Sequence, residues 1–443
     1  MRKKYEFELM RLLKKSDNSV NKIQENFFNW KFDEIAKLSM VGVFLTFPIA
    51  LGLANSLSAL VLVCWILAGS YKKRYLVIKN NALSLPLILL YVWILVGGIY
   101  ADALIDNVFL HYSKYSKLLF AVVLISLLDD VRWRRRCWLA FSMSMMFILV
   151  SVYANIWFTL PWSATKSQGW EVDHHVIGDY ITQNVMMSFF VILLVQYARA
   201  ESKLLYKYTL YIIAFLAVLS VTHLSLGRTG YVLLAVASLV FAITATPPRR
   251  RLIVVGLVGC LLLVTLLTSQ IITQRFELAV VEAKRADVDN VSSIGHRLYN
   301  YKKTPKLILE NPIFGSGTGS YHTQICKVID DPAKCYEYQW HPHNQYIFFW
   351  VNNGIIGVGL YVFLLFRFAR NGAQAPKRES VVFWSFLAIL VVDSMFNSPL
   401  WSARENHFFV FMMALMGASV ADIFRLPIGS SNSREPLKSS ALQ

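Results

Sequence analysis

Trp340-His341-Pro342-His343-Asn344-Gln345 leads directly into residues 346–366, a run of 21 residues without one charged side chain. A helix needs ~20 mostly apolar residues to cross a bilayer core, so the run reads as a membrane span with two histidines and an amide pair at its mouth. The rest of the chain has the same character. Its 443 residues are 56% hydrophobic, and only 16% are charged, against ~25% in an ordinary soluble domain. The composition is that of an all-α polytopic membrane protein, not of two or three soluble domains. The net charge of +17 raises the alternative of a nucleic-acid partner, and the placement of the cations argues against one.

Working outward from 346–366, twelve segments approach membrane length: 36–54, 56–71, 82–101, 112–128, 137–159, 183–198, 208–224, 229–246, 251–270, 344–366, 380–397 and 405–424. One polar gap, 271–343, is far longer than the others. The basic residues fall mainly in alternate short loops, at Lys72–Lys79, Arg132–Arg136, Arg199–Lys207, Arg249–Arg251 and Arg367–Arg378. The opposite short loops hold only Lys114, Lys117, Lys166, Arg228 and Arg404. Cytoplasmic loops carry the excess of Lys and Arg, so both termini are expected in the cytoplasm and 271–343 outside. The expected layout is nine helices over 36–270, one long external loop over 271–343, and three helices over 344–424. Residues 1–35 mix Lys and Arg with Leu, Met and Phe, as in an amphipathic helix lying on an anionic leaflet of membrane lipids. The serine-bearing end, 425–443, reads as a polar cytoplasmic tail. No compact apolar segment with a small-residue cleavage site marks a signal peptide near residue 1.

Cys326 and Cys335 share the external loop nine positions apart, and an oxidising compartment favours a disulfide between them. A zinc site completed by His322 or His341 is the alternative, although the spacing follows no standard pattern.

This topology brings polar residues from distant parts of the chain to one depth. Arg228 lies between Gly227 and Gly230 at the start of a helix, where free N–H groups favour an anion and a guanidinium can hold phosphate bidentately. Its alternative role is to snorkel to lipid phosphate. Arg297, after Gly295-His296, is a second candidate phosphate ligand or a solvated cation, and Arg404 is a third. Lys302, Lys303 and Lys306 form a basic group suited to anionic lipid or acidic sugars. His343, beside the positive end of a helix, is expected to stay neutral and serve as a general base; alternatively it caps that helix. His341, Asn344 and Asp393 are supporting candidates, with Asp393 orienting a histidine or pairing with Arg404. The glycine-rich Asn311–Gly319 lacks the Gly-Lys-Ser/Thr ending of a nucleotide loop and reads as turns. Asp330-Asp331-Pro332 also reads as a turn, and no paired acids of a metal-dependent transferase stand out. Neither a metal nor another cofactor is expected.

His343-Asn344 followed, nine residues on, by Gly354-Ile355-Ile356-Gly357 resembles the histidine motif of the O-antigen ligases of lipopolysaccharide synthesis. The arginine at position 228, the run Pro312–Gly317 and twelve helices with one long loop fit the same pattern, over the whole topology. The motifs are shared with O-antigen polymerases and protein O-oligosaccharyltransferases. The resemblance implies a GT-C-like glycosyltransferase of the bacterial inner membrane that is inverting and metal-independent. Its implied partners are an undecaprenyl-pyrophosphate-linked glycan and the lipid A-core acceptor, which meet at the periplasmic face. By the same resemblance His343 deprotonates the acceptor hydroxyl, while Arg228 and Arg297 hold the pyrophosphate. A lipid or anion transporter is the rival from another class, because arginines among membrane helices also mark translocation paths.

Overall fold

A computed structural model describes residues 30–284, 292–330, 335 and 340–418. Most of the expected amphipathic segment 1–35, the tail 425–443, Arg285 and the Asp331-Pro332 turn lie outside the described residues. The regular elements among the described residues are all helices, and 155–179 is irregular. Residues 30–46 form α1, followed by α2 (Leu51–Leu67), α3 (Tyr71–Asn80), α4 (Ser84–Ile99), α5 (Ile105–Tyr115) and α6 (Lys117–Leu127). Then come α7 (Val131–Ala154), α8 (Tyr180–Ala200), α9 (Leu204–Thr222), α10 (Arg228–Ala245) and α11 (Pro248–Thr268).

Each of the twelve apolar segments overlaps a helix, and among the described residues eight helices are long and apolar enough to cross a membrane, or nine if the bent pair α2–α3 is one span. The protein is an all-α polytopic membrane protein. Some expected boundaries need correction. Segment 36–54 is interrupted at 47–49, where Pro48 can neither donate a backbone hydrogen bond nor continue the helix. Segment 56–71 ends early because Gly69 (φ 62°) and Ser70 (φ 56°) adopt left-handed backbone, and α3 leaves at 118° to α2. The span expected at 112–128 begins earlier, with α5 and α6 together running over Ile105–Leu127.

The expected external loop 271–343 contains α12 (Gln270–Lys284), α13 (Ser293–Glu310) and α14 (Tyr321–Val328), none of which is long and apolar enough to cross a membrane. After it come α15 (Gln345–Gln374), α16 (Lys377–Phe396) and α17 (Ala403–Gly417).

In hydrocarbon, burying one apolar side chain against another gains little, so packing and hydrogen bonding hold the helices together. Here aromatic rings supply much of the packing. Phe189 of α8 meets Phe386 of α16 at 5.1 Å and Phe408 of α17 at 5.7 Å, while Phe47 stacks on Phe141 of α7 at 5.8 Å. Helix α17 is buried from Glu405 to Gly417. Helix α11 buries Thr265 alone and is left with its apolar sides facing outward.

The glycine-rich Asn311–Gly319 has a clear mechanical role. Helix α15 breaks at Gly354 (φ 66°, ψ −171°), and this segment is wedged into the break. Ser316 and Gly317 donate N–H bonds to the carbonyls of Val351 and Asn352 at 2.8 and 2.9 Å, and Ile355 donates to that of Pro312 at 3.0 Å. The carbonyls and amides freed by the kink are thereby satisfied, as irregular backbone at membrane depth requires. A Cβ at Gly354 would collide with the backbone of Ile313 and Phe314, so only glycine fits.

Candidate active site

Three helix starts and one helix end meet where α10, α13 and α15 begin and α16 stops. The Ser292 hydroxyl accepts the Gly295 N–H at 3.2 Å and starts α13, which sets His296, Arg297 and Tyr301 on its first turns. Asn344 starts α15: its Oδ1 accepts the Ile347 N–H at 3.0 Å, and its Nδ2 donates to the Met395 carbonyl at 3.2 Å. A cap of this kind is worth about 1 kcal/mol. Asn344 thus does the capping that was the alternative role for His343, and the His343 ring is left for other work.

His343 adopts φ 54°, a left-handed conformation that costs a non-glycine residue on the order of 1–3 kcal/mol. Its neighbours compensate. The His343 N–H donates to His341 Nδ1 at 3.2 Å, which leaves a neutral His341 with its proton on Nε2. The Tyr301 hydroxyl donates to the Met395 carbonyl at 2.7 Å and sits 3.2 Å from that of His343, tying α13 to both strands of the site. The His343 ring lies 4.2 Å from that of His341 and 5.3 Å from that of His296. Its Nδ1 is buried without a hydrogen-bond partner. Burial first, and then His341, Arg297 and His296, hold the His343 imidazole well below its ordinary value. Burial first, and then His296, Lys114, Arg297 and His322, push His341 down to about 3. Both rings are neutral at neutral pH.

The arginines divide into distinct environments. Arg228, the first residue of α10, directs its two terminal nitrogens onto the carboxylate of Glu282 at 2.8 and 2.9 Å. Glu282 also accepts the Ile294 N–H in the first turn of α13 at 3.2 Å, and the Arg228 bonds hold its carboxyl below the ordinary value. An anion therefore already occupies the junction of two helix starts, and that anion belongs to the protein. Arg297 is different. The Nε of both arginines is buried without a partner, but among the described residues no carboxylate bonds Arg297 as Glu282 bonds Arg228, and burial lowers its guanidinium from its ordinary value, in the fields of Tyr301, Tyr180, Arg228 and Asp393.

Asp393 is fully buried on α16, and neither carboxylate oxygen has a hydrogen-bond partner. Among the described residues no ion pair joins it to Arg404, so the expected Asp393–Arg404 pairing is not formed. Arg404 instead reaches the Ile49 carbonyl at 3.5 Å and abuts Gly178; it shares no partner with Arg228 or Arg297. Glu405 accepts from Asn397 at 2.6 Å and Thr182 at 3.3 Å.

Cys326 and Cys335 are joined in a disulfide. Neither sulfur is then a thiolate, and the zinc alternative built on them falls away. Lys303 is engaged with Asp330 at 2.5 Å, and so does not stand free for lipid or sugar.

Glu282, Tyr301 and Tyr180 escaped the sequence reading. Glu282 lies in a stretch of mixed charge, where one acid among cations carries no signal. Tyr301 sits in the basic run that drew attention only for its lysines.

Fold and site together define a polytopic membrane protein in which neutral imidazoles and buried guanidiniums gather at one end of the bundle. Residues 212–362 match the family model Wzy_C, described as O-antigen ligase. Over that stretch, about a third of its length, the chain is similar to the O-antigen ligase family. The match runs from α9 into α15; it takes in Arg228, Glu282, Arg297, His341, His343 and Asn344 and ends before Asp393 and Arg404. No curated protein matches the chain.

Proposed function

We propose that this protein is an O-antigen ligase, which moves a glycan from undecaprenyl pyrophosphate onto the lipid A-core oligosaccharide at the periplasmic face of the inner membrane. The observation that carries the reading is the pairing, inside the family-matched stretch, of a neutral half-buried imidazole with two guanidiniums suited to a pyrophosphate. His343 takes the proton of the acceptor hydroxyl, and the oxygen so freed bonds to the anomeric carbon with inversion. The bond from that carbon to the pyrophosphate oxygen breaks, and its electron pair stays on the leaving group. Arg297 and Arg228 stabilise that charge in a site with little water, where fixed donors count for most. The Glu282 carboxylate marks where an anionic oxygen sits, and it yields Arg228 to the pyrophosphate when the donor arrives. Because guanidiniums supply the charge stabilisation, the reaction runs without a metal. His341 holds His343 in place. Asp393 is a supporting acid near Arg297, and Arg404 serves the same end of the bundle at more distance from the leaving group. Holding two lipid-borne substrates at one depth adds rate through proximity.

The deciding experiment is transfer by the purified protein in detergent, without a gradient, from a carrier-linked glycan to lipid A-core. Retained activity in chelator and loss of transfer in His343→Ala, with donor binding kept, are expected. Near-normal turnover of His343→Ala would remove the base assignment, and strong chelator inhibition the metal-free one. A deletion strain separates the neighbouring activities. Loss of all polymer from lipid A-core supports a ligase; capping by single units would mean a polymerase, and loss of glycans from periplasmic protein alone an O-oligosaccharyltransferase.

A further inference from the structure

The opposite end of the bundle carries a cavity that the transfer reaction does not use. It has a volume of about 720 Å³ and lies between α7, α8 and α9, lined by Arg135, Trp138, Leu139, Ser142, Phe190 and Tyr197, among others. That size falls in the roughly 300–1,000 Å³ range of sites that hold a ligand. Its position along the helices is fixed. Arg135 is in the second turn of α7 and Tyr197 in the last turn of α8, whereas His343 and Arg228 lie beyond the other ends of these helices.

Two of the residues lining this cavity carry a buried polar group with no partner among the described residues. Trp138 is 2% exposed, and its indole N–H forms no hydrogen bond; the buried Ser142 hydroxyl has none either. Groups like these in an apolar site normally find an acceptor, so the cavity lacks the acceptors that would complete it. Their depth is informative. At ~1.5 Å per residue, Trp138 lies about 4.5 Å and Ser142 about 10.5 Å further along α7 than Arg135.

From this we infer that the cavity is a binding site for an anionic glycerophospholipid of the leaflet opposite the transfer site. Arg135 takes the headgroup phosphate, Trp138 and Ser142 donate to the ester carbonyls below it, and an acyl chain fills the apolar space beside Leu139 and Phe190. The order of cation, donor, donor, hydrocarbon matches the order of groups along such a lipid. A polyprenyl phosphate has no acceptor at the depth of Trp138 and Ser142 and leaves both unsatisfied. The inference stands on bundle geometry and does not depend on the reaction proposed above.

Native mass spectrometry of the full chain in detergent tests it, with added phosphatidylglycerol, phosphatidylcholine of the same acyl chains, and a polyprenyl phosphate. Phosphatidylglycerol is expected to bind more tightly than phosphatidylcholine. Arg135→Gln should weaken phosphatidylglycerol about fivefold, the scale of one cation facing an anionic headgroup. Leu139→Trp, at a position 61% exposed and therefore tolerant of size, should fill the space and lower binding of both phospholipids. Equal retention of the two phospholipids, indifference to both substitutions, or tighter binding of the polyprenyl phosphate would each overturn the assignment.

Discussion

Two arginine–glutamate pairs sit at opposite ends of the bundle and do different things. At one end Arg134 of α7 faces Glu379 of α16 at 3.5 Å, with the side chains 0% and 3% exposed. At the other, Arg228 grips Glu282 through two short bonds, but both side chains keep some exposure, 14% and 11%. The far pair has the worse geometry and the deeper burial. Breaking a pair of that kind leaves an uncompensated charge among apolar helices, so it serves as a fixed element of the bundle. The near pair has the better geometry and a route to solvent. It can be opened by another anion, and its strength sets how hard that anion must compete.

The largest expected effect tests this contrast directly. Arg134→Ala should destabilise the protein by about 3–5 kcal/mol, seen as a lower unfolding midpoint in detergent. Arg228→Ala should leave that midpoint nearly unchanged, because Glu282 keeps the Ile294 N–H, while glycan transfer falls by about 10²–10³-fold. Equal losses of stability in the two variants would erase the distinction. A smaller effect is expected of Glu282→Gln. The amide keeps an acceptor for Ile294 but gives up the competing charge, so inorganic pyrophosphate should inhibit transfer at about tenfold lower concentration, the equivalent of ~1.4 kcal/mol. Weaker inhibition would mean that Glu282 aligns Arg228 instead of competing for it.

The smallest effect concerns pH. The folded-state value of His343 is depressed, so the ring is already neutral above that value and gains nothing as pH rises further. The transfer rate attributed to it should therefore stay flat from pH 8 down to pH 6. An ordinary histidine, with a value of ~6.5, would retain only about a quarter of its neutral form at pH 6. A fourfold decline over that interval would show that His343 titrates normally.

Much of the fold could be read in advance because membrane spans obey a simple rule. Charge-free runs mark the helices, and here residues 346–366 and 252–270 were unmistakable. Arg228 was legible as well, since a lone cation beside glycines at a helix start stands out against apolar surroundings. What stayed hidden depends on contacts between distant residues. Stretch 271–343 folds into three helices whose apolar positions are interleaved with Lys and Arg, which masks their period in composition. The partner of Arg228 could not be foreseen, because nothing in residues 270–284 distinguishes Glu282 from Glu277. The left-handed backbone of His343 is likewise a product of Asn344, Tyr301 and His341 acting together. Asn344 illustrates the limit well: its place in the motif was plain, yet its capping role became clear only once Ile347 and Met395 were seen on either side.

The wedge formed by Asn311–Gly319 has a consequence for inheritance and engineering. Because its carbonyls and amides are shared with the broken turn of α15, neither part can be lengthened, shortened or exchanged alone. Gly315 packs against Gly354 and Asn353, and Gly317 against Ala101, so three separate parts of the chain are locked in register. Chimeras that seek a new glycan preference must therefore carry residues 311–319, the kinked helix and the end of α4 from one parent. Natural variation in chain length is correspondingly expected elsewhere, between elements that do not share a backbone ladder.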